Sequence, residues 1–88
     1  MSIDFLSTIQ YYIRMDEALQ QLGLSIKEQR QLKGLSQEKL AELSGFDRTY
    51  ISMLERAKRN PSYLNLLRLA NALKIDICIL FQKRDGEG

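Results

Sequence analysis

Residues 37–56 read QEKLAELSGFDRTYISMLER, and this stretch decides the fold because it predicts two short helices joined by a tight turn. Ala41 gives a small side chain where two crossing helices need their backbones to touch, and Gly45 tolerates the positive φ angle of a sharp turn. Ile51 and Leu54 are three residues apart, so both point back from the second helix toward the first. The start of the second helix leaves four side chains facing outward: Arg48, Thr49, Ser52 and Met53.

Composition limits the class of protein. The 88 residues suffice for one small domain, and a hydrophobic fraction of 44% with a single proline predicts an ordered, mostly helical chain. No apolar run reaches about 18 residues, so we expect no membrane-spanning helix. The first residues, MSIDFLSTIQYY, lack the basic start and small-residue cleavage site of a signal peptide. The lone Cys78 suits a reducing compartment, and we expect a cytoplasmic protein without membrane contact.

The residue types that catalysis needs are scarce in this chain. Histidine, the commonest general base and a frequent metal ligand, does not occur. Cys78 lies within an apolar run, and the sequence contains neither a carboxylate cluster nor a glycine-rich phosphate loop. We therefore expect no enzyme activity, no cofactor and no metal site.

Positive charge is concentrated around the second helix of the predicted pair. The net charge of the whole chain is only +2, which does not by itself indicate a nucleic-acid partner. Residues 47–60 contain four basic and two acidic side chains, whereas residues 1–20 contain one basic and three acidic ones. For any one such cluster a solvated surface is the alternative, but next to this pair of helices the basic segment favours contact with phosphates.

Start and stop signals predict further helices on either side of the pair. An apolar stripe predicts a helix within residues 3–12, and a second helix is expected over residues 16–33, ended by Gly34. Gly23 is expected to weaken that second helix by about 1 kcal/mol relative to alanine. The later helices are predicted to start after four N-cap residues: Ser36, Asp47, Ser62 and Asp76.

The order of these pieces is similar to a known family. LKGLSQEKLAELSG, FDRTYISMLER, RNPS and LLRLANALKI resemble the Cro/CI-type (XRE-like) helix–turn–helix family of bacterial and phage repressors, roughly from Leu22 to Phe81. FDRTYIS with the following ER and RN further resembles the controller proteins of restriction–modification systems. The resemblance implies an all-α, compact five-helix lambda-repressor-like domain. The chain then divides into an N-terminal helical extension at 1–21, the DNA-binding domain at 22–82 and a polar tail at 83–88.

The resemblance implies sequence-specific binding to double-stranded DNA. A homodimer would place the recognition helix, residues 48–56, in the major groove of a palindromic operator whose half-sites lie about 34 Å apart. Base contacts are expected from Arg48, Thr49, Ser52 and Met53. Phosphate contacts are expected from Gln37, Tyr50, Arg56, Lys58, Arg59 and Asn60. Alternatives stay open at five positions: phosphate contact for Arg48 and for Thr49, helix capping for Gln37, packing between helices for Tyr50 and a plain surface position for Met53.

Two further sets of residues are implied to have structural roles. Arg30 and Glu55 match an arginine–glutamate pair of the family, so we interpret them as a partly buried pair that orients the recognition helix. The usual dimer surface corresponds to the final short helix and the loop before it, Leu73–Phe81, where apolar side chains are more numerous than one helix can bury internally. The predicted dimer residues are Ile75, Ile77, Ile79, Leu80 and Phe81.

The apolar stripe of residues 3–13 has no counterpart in the minimal domain of the family. It could pack on its own domain, cover a partner subunit or receive a different protein. Two classes of function follow. The first is a transcriptional regulator that binds DNA as a homodimer. The second is an antitoxin or other protein-interaction module whose N-terminal helix binds a partner protein through residues 3–13.

Overall fold

The computed structural model describes residues 14–82, and the chain in this range is built from helices without a strand. The elements are α1 (Met15–Leu32), α2 (Gln37–Ser44), α3 (Arg48–Glu55), α4 (Tyr63–Leu73) and a 3₁₀ helix (Ile77–Phe81). The predicted all-α class is confirmed. The last element is a 3₁₀ helix, so the described range contains four α-helices where the sequence predicted a five-helix domain. The predicted helix within residues 3–12 and the tail at 83–88 lie outside the described residues.

The later helices start at the predicted N-caps. Ser36 and Ser62 each accept, through the side-chain oxygen, a backbone N–H three residues further on, at 2.9 and 3.2 Å. Asp76 accepts a backbone N–H two residues further on, at 2.9 Å. Asp47 occupies the N-cap of α3, but its carboxylate makes no capping bond. There the start of the helix depends on the extended backbone of Asp47 and on its carbonyl, which accepts the N–H of Ile51 at 3.2 Å.

α1 is continuous from Met15 to Leu32, so the predicted boundary between residues 21 and 22 falls inside one helix. Gly34 follows the end of α1, as predicted, with a φ of 71°. That left-handed turn lets the backbone N–H of Leu35 bond the carbonyl of Arg30 at 3.0 Å. α1 contacts both α3 and the 3₁₀ helix, so it forms the back of the domain that carries the helix pair.

Gly23 lies where α1 crosses the C-terminal end of α3. A Cβ atom at this position would be 2.6 Å from the carbonyl oxygen of Leu54 and 2.7 Å from that of Glu55. Both contacts involve backbone, which cannot swing aside as a side chain can. The glycine that helix propensity treats as a weakness therefore allows α1 and α3 to approach closely, a role that the sequence did not predict.

The core lies between the helix pair and the α1, α4 and 3₁₀ elements around it. Its buried hydrophobic side chains come from every element in the described range: Ile26, Leu40, Ala41, Ile51, Leu54, Leu66, Leu69, Ala70, Leu73 and Leu80. Burial of each large aliphatic side chain stabilises the fold by about 1.5–3 kcal/mol. Leu80, which the sequence assigned to the dimer surface, is only 1% exposed. Because its own chain already encloses it, Leu80 is a core residue and not a contact for a partner.

Candidate nucleic-acid interface

α2 and α3 form the helix–turn–helix pair that the sequence predicts. Gly45 adopts the left-handed conformation (φ 79°, ψ 22°), and the N–H groups of Gly45 and Phe46 both bond the carbonyl of Ala41, at 2.8 and 2.9 Å. Ala41 is buried at the crossing of the helices, and Ile51 and Leu54 are buried on the inner face of α3. The inner face of α3 is thus fixed to the core, and its outer face is left to solvent.

The outer face of α3 carries the four predicted base-contact residues. Arg48 and Thr49 lie in the first turn of α3 and are exposed. Ser52 and Met53 lie one turn later and are half-buried. The N-terminal end of a recognition helix is the part that reaches base edges in the major groove. Arg48 and Thr49, the most exposed members of the predicted set, lie at that end of α3.

Arg30 and Glu55 lie together and connect α1 to the end of α3. Arg30 donates two hydrogen bonds to the Glu55 carboxylate, from Nε to Oε2 at 2.7 Å and from Nη2 to Oε1 at 3.1 Å. Arg30 Nη1 also donates to the carbonyl of Leu35 at 2.8 Å. The two side chains are 11% and 3% exposed, so this bidentate pair is nearly enclosed and orients α3 against α1.

Gln37, at the start of α2, belongs to the same network. Its Nε2 donates to Oε1 of Glu55 at 3.1 Å, so the beginning of α2 is held to the end of α3. Capping of α2, the alternative predicted for Gln37, is instead done by the side chain of Ser36. An amide nitrogen carries two N–H donors, so the bond to Glu55 and a phosphate contact by Gln37 are compatible.

A basic loop follows α3 and begins with a Schellman-type C-cap. Ala57 is left-handed (φ 62°), its N–H bonds the carbonyl of Leu54 at 3.1 Å, and the N–H of Lys58 bonds the carbonyl of Met53 at 2.8 Å. A non-glycine residue is unusual in that conformation. The turn brings the predicted phosphate contacts to the surface beside α3, where all four are exposed: Arg56, Lys58, Arg59 and Asn60.

Tyr50 packs between elements, one of the two roles that the sequence left open for it, and its hydroxyl can still donate to a phosphate because it accepts from Asn65. Its ring lies 4.7 Å from the ring of Phe46, centroid to centroid, and its hydroxyl accepts a hydrogen bond from Asn65 Nδ2 at 3.0 Å. The guanidinium of Arg59 lies over the Tyr50 ring at 5.1 Å. Tyr50 is half-buried, and an open cavity of about 390 Å³ adjoins it, lined by Gly45, Phe46, Asp47, Thr49, Met53 and Arg59.

Arg68 on α4 is a member of this site that the sequence analysis missed. Its Nε and Nη2 donate to the carbonyl of Ser44 at 3.2 and 2.9 Å, and Nη2 also donates to the carbonyl of Gly45 at 3.0 Å. Its guanidinium lies 4.0 Å above the centre of the Phe46 ring. The sequence offered no signal for these contacts because an arginine on a predicted helix is most simply explained as a solvated charge.

The predicted dimer surface is only partly available. Ile75, Ile77 and Ile79 are half-buried, and Phe81 is 57% exposed.

Hydrogen bonding of the Asp76 carboxylate to Cys78 lowers the pKa of that carboxyl from its ordinary value of 3.8. The hydrogen bond to Asp76, together with its negative charge, raises the pKa of the Cys78 thiol.

Other kinds of site find no support in the described part of the chain. Between residues 14 and 82, no three histidine, cysteine, aspartate or glutamate side chains lie close enough together to hold a metal ion. In the same range, no helix combines the length and the apolar character needed to cross a lipid bilayer.

Comparison with known proteins identifies the family. The Helix-turn-helix family model HTH_3 matches residues 26–80. Control protein C.SmaI from Serratia marcescens is 43% identical over 56 residues, which cover 64% of this chain and 67% of that protein.

Solved structures agree with the family match. The restriction–modification controller protein C.AhdI from Aeromonas hydrophila superimposes with a TM-score of 0.70 at 51% identity, covering 72% of this chain and 96% of that one. The controller protein C.Esp1396I, in a structure of its tetramer with its natural 35 base-pair operator, gives a TM-score of 0.68 at 38% identity, covering 73% of this chain and 84% of that one. All three relatives are control or controller proteins rather than enzymes, and the C.Esp1396I structure contains its operator. The chain belongs to the XRE-like helix–turn–helix family of transcriptional regulators.

Proposed function

We propose that this chain is a sequence-specific transcriptional regulator that binds a palindromic operator as a homodimer, with α3 in the major groove. The observation that carries the proposal is the division of α3 into two faces. Ile51 and Leu54 fix its inner face in the core, while Arg48 and Thr49 extend into solvent from its first turn. A helix held in this way can enter a groove about 12 Å wide without losing its own packing.

Arg48 is the leading base reader in this proposal. Its guanidinium can donate two parallel hydrogen bonds to O6 and N7 of a guanine, which is worth about 1–3 kcal/mol of discrimination against another base. Thr49, Ser52 and Met53 would contact neighbouring base edges, with the methyl group of thymine as the natural partner for the apolar side chain of Met53.

The phosphate contacts supply the part of the affinity that does not depend on sequence. Residues Gln37 and Tyr50 lie on either side of the turn, and the basic loop follows α3. Lysine and arginine side chains there would displace counterions from the DNA, so that affinity falls as salt rises. The proposed set is Gln37, Tyr50, Arg56, Lys58, Arg59 and Asn60.

Dimerisation through the last element completes the proposal. Phe81 is exposed, and the isoleucines at positions 75, 77 and 79 of the same segment of the chain are half-buried. The similar protein C.Esp1396I binds its operator as a tetramer, which supports binding by more than one copy here. Because such a regulator acts where the DNA is, the cytoplasmic location expected from the sequence is part of the same proposal.

A second candidate is a protein-interaction module that uses residues 3–13. The apolar stripe in that segment supports it, and so does an apolar groove of about 290 Å³ beside Met15, where the chain enters α1. Changing Leu6 and Ile9 together to aspartate separates the three roles that the stripe could have. An unchanged melting temperature and mass favour a separate protein partner, a lower melting temperature favours packing on the own domain, and a halved mass favours dimerisation.

The test of the main proposal is selection of bound sequences from a random double-stranded library by the purified chain at two salt concentrations. We expect a two-fold symmetric motif with half-sites about one turn apart. Light scattering of the complex should give two or more copies per duplex. Recovery of unpatterned DNA that is lost at the higher salt would contradict the proposal and favour the second candidate.

A further inference from the structure

Four side chains from four parts of the chain form one continuous stack. The guanidinium of Arg68 lies 4.0 Å over the Phe46 ring, the Phe46 and Tyr50 rings are 4.7 Å apart, and the guanidinium of Arg59 lies 5.1 Å over the Tyr50 ring. We call these four residues the cation–aromatic stack. It begins on α4, crosses the turn and α3, and ends in the basic loop.

The α4 end of the cation–aromatic stack, the exposed residue Arg68, is held by hydrogen bonds. Arg68 donates to the carbonyls of Ser44 and Gly45, which lie at the C-terminal end of α2, where the helix dipole favours a positive charge. A Cβ at Gly45 would lie 2.7 Å from Nη2 of Arg68, so glycine at the turn also makes room for this guanidinium. The position of Arg68 is therefore fixed by several contacts at once.

The middle of the cation–aromatic stack is fixed as well. Phe46 and Tyr50 are half-buried and pack against the core, and Asn65 of α4 donates to the Tyr50 hydroxyl at 3.0 Å. Asn65 and Arg68 are three residues apart, so one face of α4 holds both aromatic members. The outer end is Arg59, which is exposed on the surface beside α3.

We infer that Arg68 is a positioning residue for DNA binding. It holds the Phe46 ring, which packs on Tyr50, and the Tyr50 ring in turn presents the guanidinium of Arg59 to a DNA phosphate. The inference rests on the proposed function, because it assigns Arg59 a phosphate as partner. A free arginine side chain loses rotamer freedom when it binds a phosphate. An arginine already held over an aromatic face loses less, so its contact is stronger.

The competing explanation is that Arg68 binds phosphate itself. The two explanations differ in whether the effects of Arg59 and Arg68 depend on each other. If both arginines contact phosphate separately, the losses caused by their removal add up. If Arg68 acts through Arg59, its removal has little effect once Arg59 is gone.

The first experiment measures whether the Arg59 side chain lies over the Tyr50 ring in the full chain without DNA. NMR spectra of Arg59 should show side-chain δ-protons shifted upfield by the ring current of Tyr50. We expect this shift to shrink in Arg68→Gln and in Phe46→Leu, and to persist in Lys27→Gln. Lys27 is an exposed residue of α1, which contributes nothing to the stack, so it controls for the loss of one positive charge. An Arg59 shift that is unchanged in both stack variants would overturn the inference.

The second experiment is a double-mutant cycle on DNA affinity. Arg59→Gln, Arg68→Gln and their combination are titrated against a labelled duplex that carries the selected motif. We expect each single substitution to weaken binding by roughly two- to tenfold, the range of a cation–π contact, and the pair to cost no more than the larger single effect. Each variant should lower the salt slope by about 0.9, the value for one phosphate, and the pair should lower it no further.

The outcomes separate the inference from the proposed function. Additive losses in a chain that binds its motif would overturn the positioning role of Arg68 and leave the proposed function intact. A wild-type chain that binds no duplex would overturn both. Arg68→Lys gives a check that is independent of folding: it keeps the charge but cannot fork between two carbonyls, so we expect it to bind DNA nearly as weakly as Arg68→Gln at an unchanged melting temperature. Full affinity in Arg68→Lys would contradict the role of the guanidinium.

Discussion

Gly23 illustrates how a missing side chain sets the position of the recognition helix. Helix propensity alone makes this glycine a defect in α1, worth about 1 kcal/mol relative to alanine. The crossing of α1 over the carbonyls of Leu54 and Glu55 leaves no room for a Cβ atom. The two effects have opposite signs, and overpacking of about 1–3 kcal/mol is the larger one.

We therefore expect Gly23→Ala to lower the free energy of unfolding by up to about 2 kcal/mol, the overpacking cost less the gain in helix propensity. Urea denaturation followed by circular dichroism measures it. Gln20→Ala, an exposed position on the same helix, is the matched control and should not destabilise the protein. An increase in stability for Gly23→Ala, as propensity alone requires, would show that α1 and α3 can separate at no cost.

The Arg30–Glu55 pair gives a second prediction. Arg30→Met should destabilise the fold by about 3–5 kcal/mol, because it leaves the Glu55 carboxylate enclosed without its main partner. Changing both residues to methionine should cost less than Arg30→Met alone, since no charge is then left buried. Urea denaturation of the three proteins tests this. Equal costs for the single and double variants would mean that water reaches Glu55.

The residues that the sequence predicted well are those whose role is local. Ser36, Ser62 and Gly45 act within three or four residues along the chain, so their type and spacing are sufficient signals. Gly23 and Arg68 act on atoms more than 20 residues away in sequence, and their roles appear only when the helices are packed.

At the level of helices and loops as well, features set by local sequence were predicted better than features set by packing. The bounds of α1 to α4 lie within one residue of the helices expected from start and stop signals. The predicted boundary between the 1–21 extension and the domain, however, falls inside α1. The last element was expected to be a turn or two of helix and forms a 3₁₀ helix. Its inward-facing residue, Leu80, was misassigned to a dimer surface because an apolar segment of five residues does not reveal which of its faces is covered.

The basic loop after α3 and the first turn of α3 should behave differently in DNA binding. Arg59→Ala is expected to weaken binding to every duplex by a similar factor and to lower the salt slope by about 1. Fluorescence anisotropy with the selected motif and with a mixed-sequence duplex, at several salt concentrations, measures both quantities. A loss confined to the selected motif would make Arg59 a base reader and contradict its assignment to phosphate.

Assembly of the complete regulator depends on the surface around the 3₁₀ helix. Phe81→Glu places a charge on the exposed ring position of the proposed dimer surface and should halve the mass of the protein in sedimentation. Leu32→Glu, at the exposed end of α1, introduces the same change elsewhere and should leave the mass unchanged. A monomeric wild-type chain, or a Phe81→Glu protein that stays dimeric, would contradict this surface.

The central claim is that α3 reads base sequence in each half of a symmetric operator, and one paired measurement tests it most directly. Wild-type chain and Arg48→Ala are used side by side to select sequences from the same random duplex library at the same salt. We expect a two-fold symmetric motif from the wild type, and from Arg48→Ala the same motif with its preference lost at one position in each half-site. Identical motifs from the two proteins would contradict base reading by Arg48, and a wild-type selection without any motif would contradict the claim itself.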